Sequence, residues 1–206
     1  MEILGKIFGS EAKVKIMRLF LFNPEDSFDL KDIEERAKVS LETARREMNL
    51  LEKIDLVRKK NFTKDVEKKK GKEVQNIKVK TSGWYLNQKF DYIQPLQNFL
   101  IHLSPLKHKD IARKINNVGS IKLLVISGVF IQEPESRVDL LIVGDHIKKS
   151  ALESVIENIE AEIGKQLRYS SFETSDFQYR LSMCDKLVRD ILDYPHEKII
   201  EKLVIS

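Results

Sequence analysis

The sequence contains a single cysteine, Cys184. That excludes an intramolecular disulfide and any site built from several thiolates, so no part of the fold depends on an oxidising compartment. The four histidines, His102, His108, His146 and His196, show no paired metal-ligand spacing. With Cys184, which lacks a nucleophile's local motif, they read as structural or surface residues. Long apolar runs are also missing: 123–126 and 140–143 have the size of buried strands rather than membrane spans. No basic-then-apolar leader opens the chain, and no internal repeat is visible. The expectation is a soluble cytoplasmic protein with no membrane partner, no cofactor and no metal.

What the chain has is charge, unevenly spread. Residues 1–83 carry 20 Lys and Arg against 15 Asp and Glu, whereas 84–206 carry 16 against 17. Between Arg45 and Lys80 the imbalance sharpens to 13 basic against 6 acidic residues. A composition shift within 206 residues favours two domains over one, and a local basic stretch in a nearly neutral chain suggests a polyanion partner.

The basic part opens with helical signals. Ser10 is placed to cap a helix through "EAKVKIMRLFLF", with Val14, Ile16, Met17, Phe20 and Leu21 inward, ending before Asn23-Pro24. Leu30, Ile33 and Ala37 give a second, short helix an apolar face. Ser40 then caps a third, "LETARREMNLLEK", in which Leu41, Ala44, Met48 and Leu51 should be core. Glu42, Thr43, Arg45, Arg46 and Asn49 are left pointing outward. Arg can fork to guanine and Asn to adenine, and Ser, Thr and helix N-terminal amides can take phosphate. The competing reading pairs Arg45 and Arg46 with Glu42 and Glu52 on a solvated face. After this helix, "IDLVRKK" and "QNIKVK" read as two strands, with Lys68, Lys69, Lys70 and Lys72 around a tip at Gly71.

Three helices followed by a basic hairpin, with "VSLETARREMNLLEKIDLV" at the third helix, resemble the winged helix-turn-helix transcription regulators of bacteria and archaea. The resemblance implies a DNA-binding domain over 1–88, with Ser40, Glu42, Thr43, Arg45, Arg46, Asn49, Lys68, Lys69, Lys70 and Lys72 at double-stranded DNA. A connecting helix is expected over 89–104, its stripe of Phe90, Ile93, Leu96 or Gln97, Leu100 and Leu103 serving either its own core or a two-fold homodimer.

From Ile111 the pattern runs helix, strand, turn, strand, helix, strand, helix, an α/β domain over 105–206. Leu152, Val155, Ile159 and Ile163 are expected inward on its middle helix, and one helix is expected through "SDFQYRLSMCDKLVRDIL". The order, and the stretch "GVFIQEPESRVDLLIVGD", resemble the minimal nucleotidyltransferases of the DNA polymerase beta superfamily, and the whole chain resembles prokaryotic regulators that fuse such a domain behind a winged helix. The expected fold class is therefore α+β, with a small mixed sheet in the C-terminal domain. The family motif places Gly-Ser, then Arg-Gly, then Ser-Asp-Ile-Asp before an apolar strand, so that two carboxylates two residues apart share a strand face and hold magnesium.

Here Gly128, Ser136, Val138 and Asp139 match, but Val129 replaces the Ser, Gln132 and Glu133 replace Arg-Gly, and Arg137 replaces the first Asp. Arg137 is expected to pair with Asp139 as an internal substitute for the metal. Asp145 lies too far along the strand to rescue the site, Glu133 and Glu135 sit on the turn, and "QLRYSSF" offers Tyr169, Ser170 and Ser171 in place of a third carboxylate. The expectation is a DNA-binding regulator whose C-terminal domain is catalytically inactive and serves dimerisation, partner binding or sensing of a protein or small-molecule ligand. The alternatives are a divergent nucleotidyltransferase acting on a protein or small molecule, and an adaptor whose winged helix never meets DNA. Trp84, Tyr85 and Tyr92 read as packing residues rather than base-stacking ones.

Overall fold

The computed structural model describes residues 3–70, 73–102 and 106–203. The chain is mixed α+β with two small sheets and divides into two compact units, Met1–Ile101 with Ile163–Lys165, and His102–Glu162 with Gln166–Ser206.

In the first unit, α1 (Ile3–Phe8) and α2 (Glu11–Phe22) precede a two-residue strand β1 (Ser27–Phe28), then α3 (Leu30–Ala37), α4 (Leu41–Lys53), β2 (Val57–Lys70) and β3 (Glu73–Leu86). Each main helix starts where a side-chain oxygen satisfies an orphan amide. Ser10 Oγ accepts from Lys13 N, and Ser40 Oγ accepts from Thr43 N at 3.3 Å. Asp29 forms a reciprocal capping box with Asp32 on α3. The turn from α3 to α4 is made by Lys38 at φ +49° without a glycine, a backbone cost of roughly 1–2 kcal/mol that the packing on either side offsets. Val14, Ile16, Phe20, Ile33, Ala44, Met48 and Leu51 close the core with Val57 and Leu86 of the strands.

Leu41 departs from expectation. It is 39 % exposed, because as the first residue after the cap it has no preceding turn to pack beside. Glu47 is buried on α4 instead, at 2 % exposure, with Arg46 Nη2 3.2 Å from one oxygen and Lys13 Nζ 3.7 Å from the other.

The hairpin is also longer than the two short expected strands. β2 and β3 pair without a break from Val57↔Leu86 to Lys70↔Glu73, so "DVEKKK" is strand rather than loop. Only residues 71–72, outside the described residues, separate the two strands. Fourteen residues in each strand give a ribbon on the order of 45 Å long. At its base β1 joins β3 through Ser27↔Tyr85 and Phe28↔Trp84. A side chain at Gly83 would strike the Phe28 carbonyl, so this junction requires glycine.

The connecting segment is helical over 93–102, shorter than the expected 89–104, and Leu103 lies outside the described residues. α5 (Ile93–Gln97) passes into a π-helical turn, Asn98–His102, and Ile93 and Leu100 are buried in the first unit's own core. Buried Arg18 donates from Nε to the Leu100 carbonyl at 3.0 Å.

The second unit contains α6 (His108–Ile115), β4 (Ser120–Ile126), a 3-10 turn (Gly128–Phe130), β5 (Leu140–Asp145), α7 (Lys149–Ile163), β6 (Tyr169–Phe172), α8 (Thr174–Ser182), α9 (Lys186–Asp193) and β7 (Glu197–Glu201). The sheet order is β6-β5-β4-β7, with β5 and β6 parallel and the other pairs antiparallel. The parallel pair follows from the crossover through α7. On α7, Leu152, Ile156 and Ile159 are buried, and the expected Val155 is only half-buried.

The single helix expected at the C-terminal end is two. Cys184 at φ +54° ends α8, and Asp185 caps α9 by accepting from Leu187 N and Val188 N. The edge strand β7, "EKIIE", has only exposed and half-buried residues, so neither an apolar run nor an alternation marked it in the sequence. No helix among the described residues is long and apolar enough to cross a membrane.

Candidate functional site

On α4 the structure brings the expected outward residues together. Glu42, Arg45, Arg46 and Asn49 are exposed and Thr43 is half-buried. The Ser40 hydroxyl donates to Thr43 Oγ1 at 2.9 Å, so the start of the helix is internally ordered. The proposed ion pairs of Arg45 and Arg46 with Glu42 and Glu52 are not formed. Arg46 turns to Glu47 instead, with its side chain still 67 % exposed. Glu52 is occupied by the Trp84 indole N–H at 3.0 Å and Lys59 Nζ at 2.9 Å. These two contacts hold the Glu52 carboxyl below its usual range.

The base of the ribbon uses part of its positive charge internally. Arg58 donates from Nε and Nη2 to Asp55 at 2.8 and 2.7 Å, a bidentate pair. Lys64 Nζ lies 2.6 Å from both Asp29 and Asp32, and Thr81 Oγ1 donates to Asp29 as well. Burial pushes the Asp29 carboxyl up, but its bonds and charge contact with Lys64 and the Asp32 amide outweigh that and hold it low. Burial likewise depresses the Lys64 ammonium, and the two carboxylates more than reverse it. This network ties β2 and β3 to the start of α3.

Basic groups farther along the ribbon are less committed. Arg45, Lys78 and Lys80 form no ion pair among the described residues. Strand alternation puts Lys78 and Lys80 on the opposite face from Ile77 and Val79, each of which is 36 % exposed. Lys68, Lys69 and Lys70 lie at the far end of β2, and Lys72 lies outside the described residues. Trp84 and Tyr85 sit at the base, under Lys59 and Lys60 at 5.6 and 5.2 Å from the ring centres, while Tyr92 is exposed.

In the second unit the motif residues converge, but not as expected. Asp139 is 1 % exposed. Its Oδ1 accepts from the Val129 amide at 2.9 Å and its Oδ2 from the Arg168 amide at 2.8 Å, with Arg168 Nε at 3.5 Å. Arg137 does not pair with Asp139; its Nε meets Asp190 Oδ2 at 3.0 Å on the surface. The physical reason is that β5 begins only at Leu140, so the two-residue strand spacing that would place 137 and 139 on one face does not apply.

Gly128 stands at φ +57°, where a Cβ would collide with Asp139 Oδ1, and buried Ser127 donates to the Val138 carbonyl at 2.5 Å. Ser136 is buried too. The turn and the strand entry are thus closed around one carboxylate. Among the described residues no three His, Cys, Asp or Glu side chains gather as a metal-holding group. Arg168, Asp190 and Ser127 were not foreseen from the sequence. The first two lie 29 and 53 residues from their partners, and no local spacing signals such contacts.

No family model, no curated protein and no solved structure matches the chain.

Proposed function

We propose that the protein is a DNA-binding regulator in which α4 reads the major groove and the β2–β3 ribbon follows the phosphate backbone as a wing. The observation that carries this reading is the pairing of an exposed α4 face, Arg45, Arg46 and Asn49, with a basic ribbon starting four residues after that helix. Helix, short strand, two helices and a hairpin closed by that strand is also the element order of a winged helix, which supports the same assignment. A two-fold dimer would set two such helices one DNA turn apart, roughly 34 Å.

The second unit fits a nucleotidyltransferase-like domain that has lost its chemistry. Its motif aspartate is committed to two backbone amides and a guanidinium, and the position of the first carboxylate carries an exposed arginine paired with Asp190. Such a domain serves partner binding or ligand sensing.

The test is selection of bound fragments from genomic DNA by the full chain, followed by titration at several salt concentrations. Arg45→Ala with Asn49→Ala should reduce preference for the selected site over random DNA. Lys78→Gln with Lys80→Gln should weaken both and flatten the dependence of log affinity on log salt by about 0.9 per lost phosphate contact. Unchanged affinity and salt slope in all four substitutions together would remove the reading.

A further inference from the structure

The first unit contains an apolar pocket of about 430 Å³ whose walls include Phe8, Met17, Leu51, Leu56, Phe90 and Leu96. Leu50, Ile54 and Tyr92 also line it, and they are 45, 55 and 64 % exposed, so they mark its mouth. This size lies within the range of sites that take small molecules, roughly 300–1,000 Å³. The charged groups in the lining are Lys13 and Lys53, with no carboxylate among them. Lys13 is engaged, donating to the Phe8 carbonyl at 3.3 Å and lying 3.7 Å from Glu47. Lys53 is exposed and forms no ion pair among the described residues.

A concave apolar interior with a free cation at its edge suits an amphipathic anion. We propose that this pocket binds a free medium-chain aliphatic carboxylate, its chain inside and its carboxylate against Lys53. A second copy of the chain is the poorer occupant, since a two-fold contact here would bring like cations together. The last turn of α4 supplies Leu50, Leu51 and Lys53, and earlier turns of the same helix carry Arg45 and Asn49. An occupant therefore acts on the helix assigned to DNA; only this regulatory consequence rests on the proposed function.

The experiment is calorimetric titration of the full chain, without DNA, with octanoate, decanoate, dodecanoate, decanol and phosphatidylcholine vesicles. Decanoate is expected to bind saturably at one per chain, with affinity rising about fourfold per methylene until the pocket is full. Lys53→Gln should weaken decanoate by about two- to fivefold and leave decanol unchanged. Leu50→Trp, at an exposed position and checked for intact fold by circular dichroism, should abolish both. Lack of saturable decanoate binding, equal binding by wild type and Leu50→Trp, or vesicle binding that decanoate does not compete would each overturn the proposal. So would a dimer that Leu50→Trp converts to monomer, which would assign the pocket to a second copy. Because no DNA is present, failure of the DNA-binding reading leaves these outcomes unchanged.

Discussion

Replacing Asp139 by Ala separates a structural carboxylate from a catalytic one. The side chain is almost fully enclosed and accepts the Val129 and Arg168 amides at 2.9 and 2.8 Å. Hydrogen bonds to a charged acceptor contribute about 1.5–3 kcal/mol each, and truncation leaves both amides unpaired, so the expected loss is about 3–6 kcal/mol. Asp139→Asn keeps the shape but turns an NH2 group toward one of the two amides, and should cost about half as much. Urea unfolding followed by far-ultraviolet circular dichroism, with hydrogen exchange at the amides of Val129 and Arg168, measures the effect. Trp84, the single tryptophan, lies in the first unit and provides an internal control by fluorescence. A carboxylate poised for metal behaves oppositely: with no cation bound, removing its charge leaves stability unchanged or raises it. A midpoint for Asp139→Ala within about 0.5 kcal/mol of wild type would refute the structural role.

Further outcomes follow from the same geometry. Gly128→Ala must place a Cβ against Asp139 at a positive φ, and unfolding measurements should show a loss of at least ~2 kcal/mol. The lowered carboxyl of Asp29 adds stability that is present above the unfolded value of about 3.9 and is lost as pH falls through the folded one. Acid unfolding should therefore be less steep in Asp29→Asn. Because Glu52 bonds the Trp84 indole and is likewise held low, Trp84 emission should change only below about pH 4.3, and Glu52→Gln should remove that step. Pyrophosphate release from each nucleoside triphosphate, with magnesium or manganese, should be absent; metal-dependent turnover lost in Asp139→Asn would promote the enzyme reading.

Helices α2, α3 and α4 were legible because each begins at a polar cap and repeats apolar residues at helical spacing. Ser10, Ser40 and the stripe Ala44, Met48 and Leu51 left little choice. The ribbon was legible only in part. Its lysine-rich segment "DVEKKK" has the composition of a loop although it is paired residue for residue. At the motif, the sequence identified Asp139 and Gly128 as positions of interest but assigned the wrong partner. Local spacing supplied Arg137, whereas the fold supplied the Val129 and Arg168 amides from a turn and a distant strand entry. The break at Cys184 was hidden because apolar residues on both sides continue the helical pattern.

The short reach of β1 has a consequence for how copies of this protein meet. β1 covers only Tyr85 and Trp84 of β3, so among the described residues the ribbon beyond that junction has two open edges whose amides and carbonyls are templates for another strand. Edges of this kind recruit neighbouring chains unless charge keeps them apart, and here the lysines of β2 and β3 provide that repulsion. A polyanion that neutralises them removes the barrier along with the charge. On the proposed DNA-binding reading, the same neutralisation would let ribbons of adjacent copies pair edge to edge, so that assembly along the polymer would accompany binding.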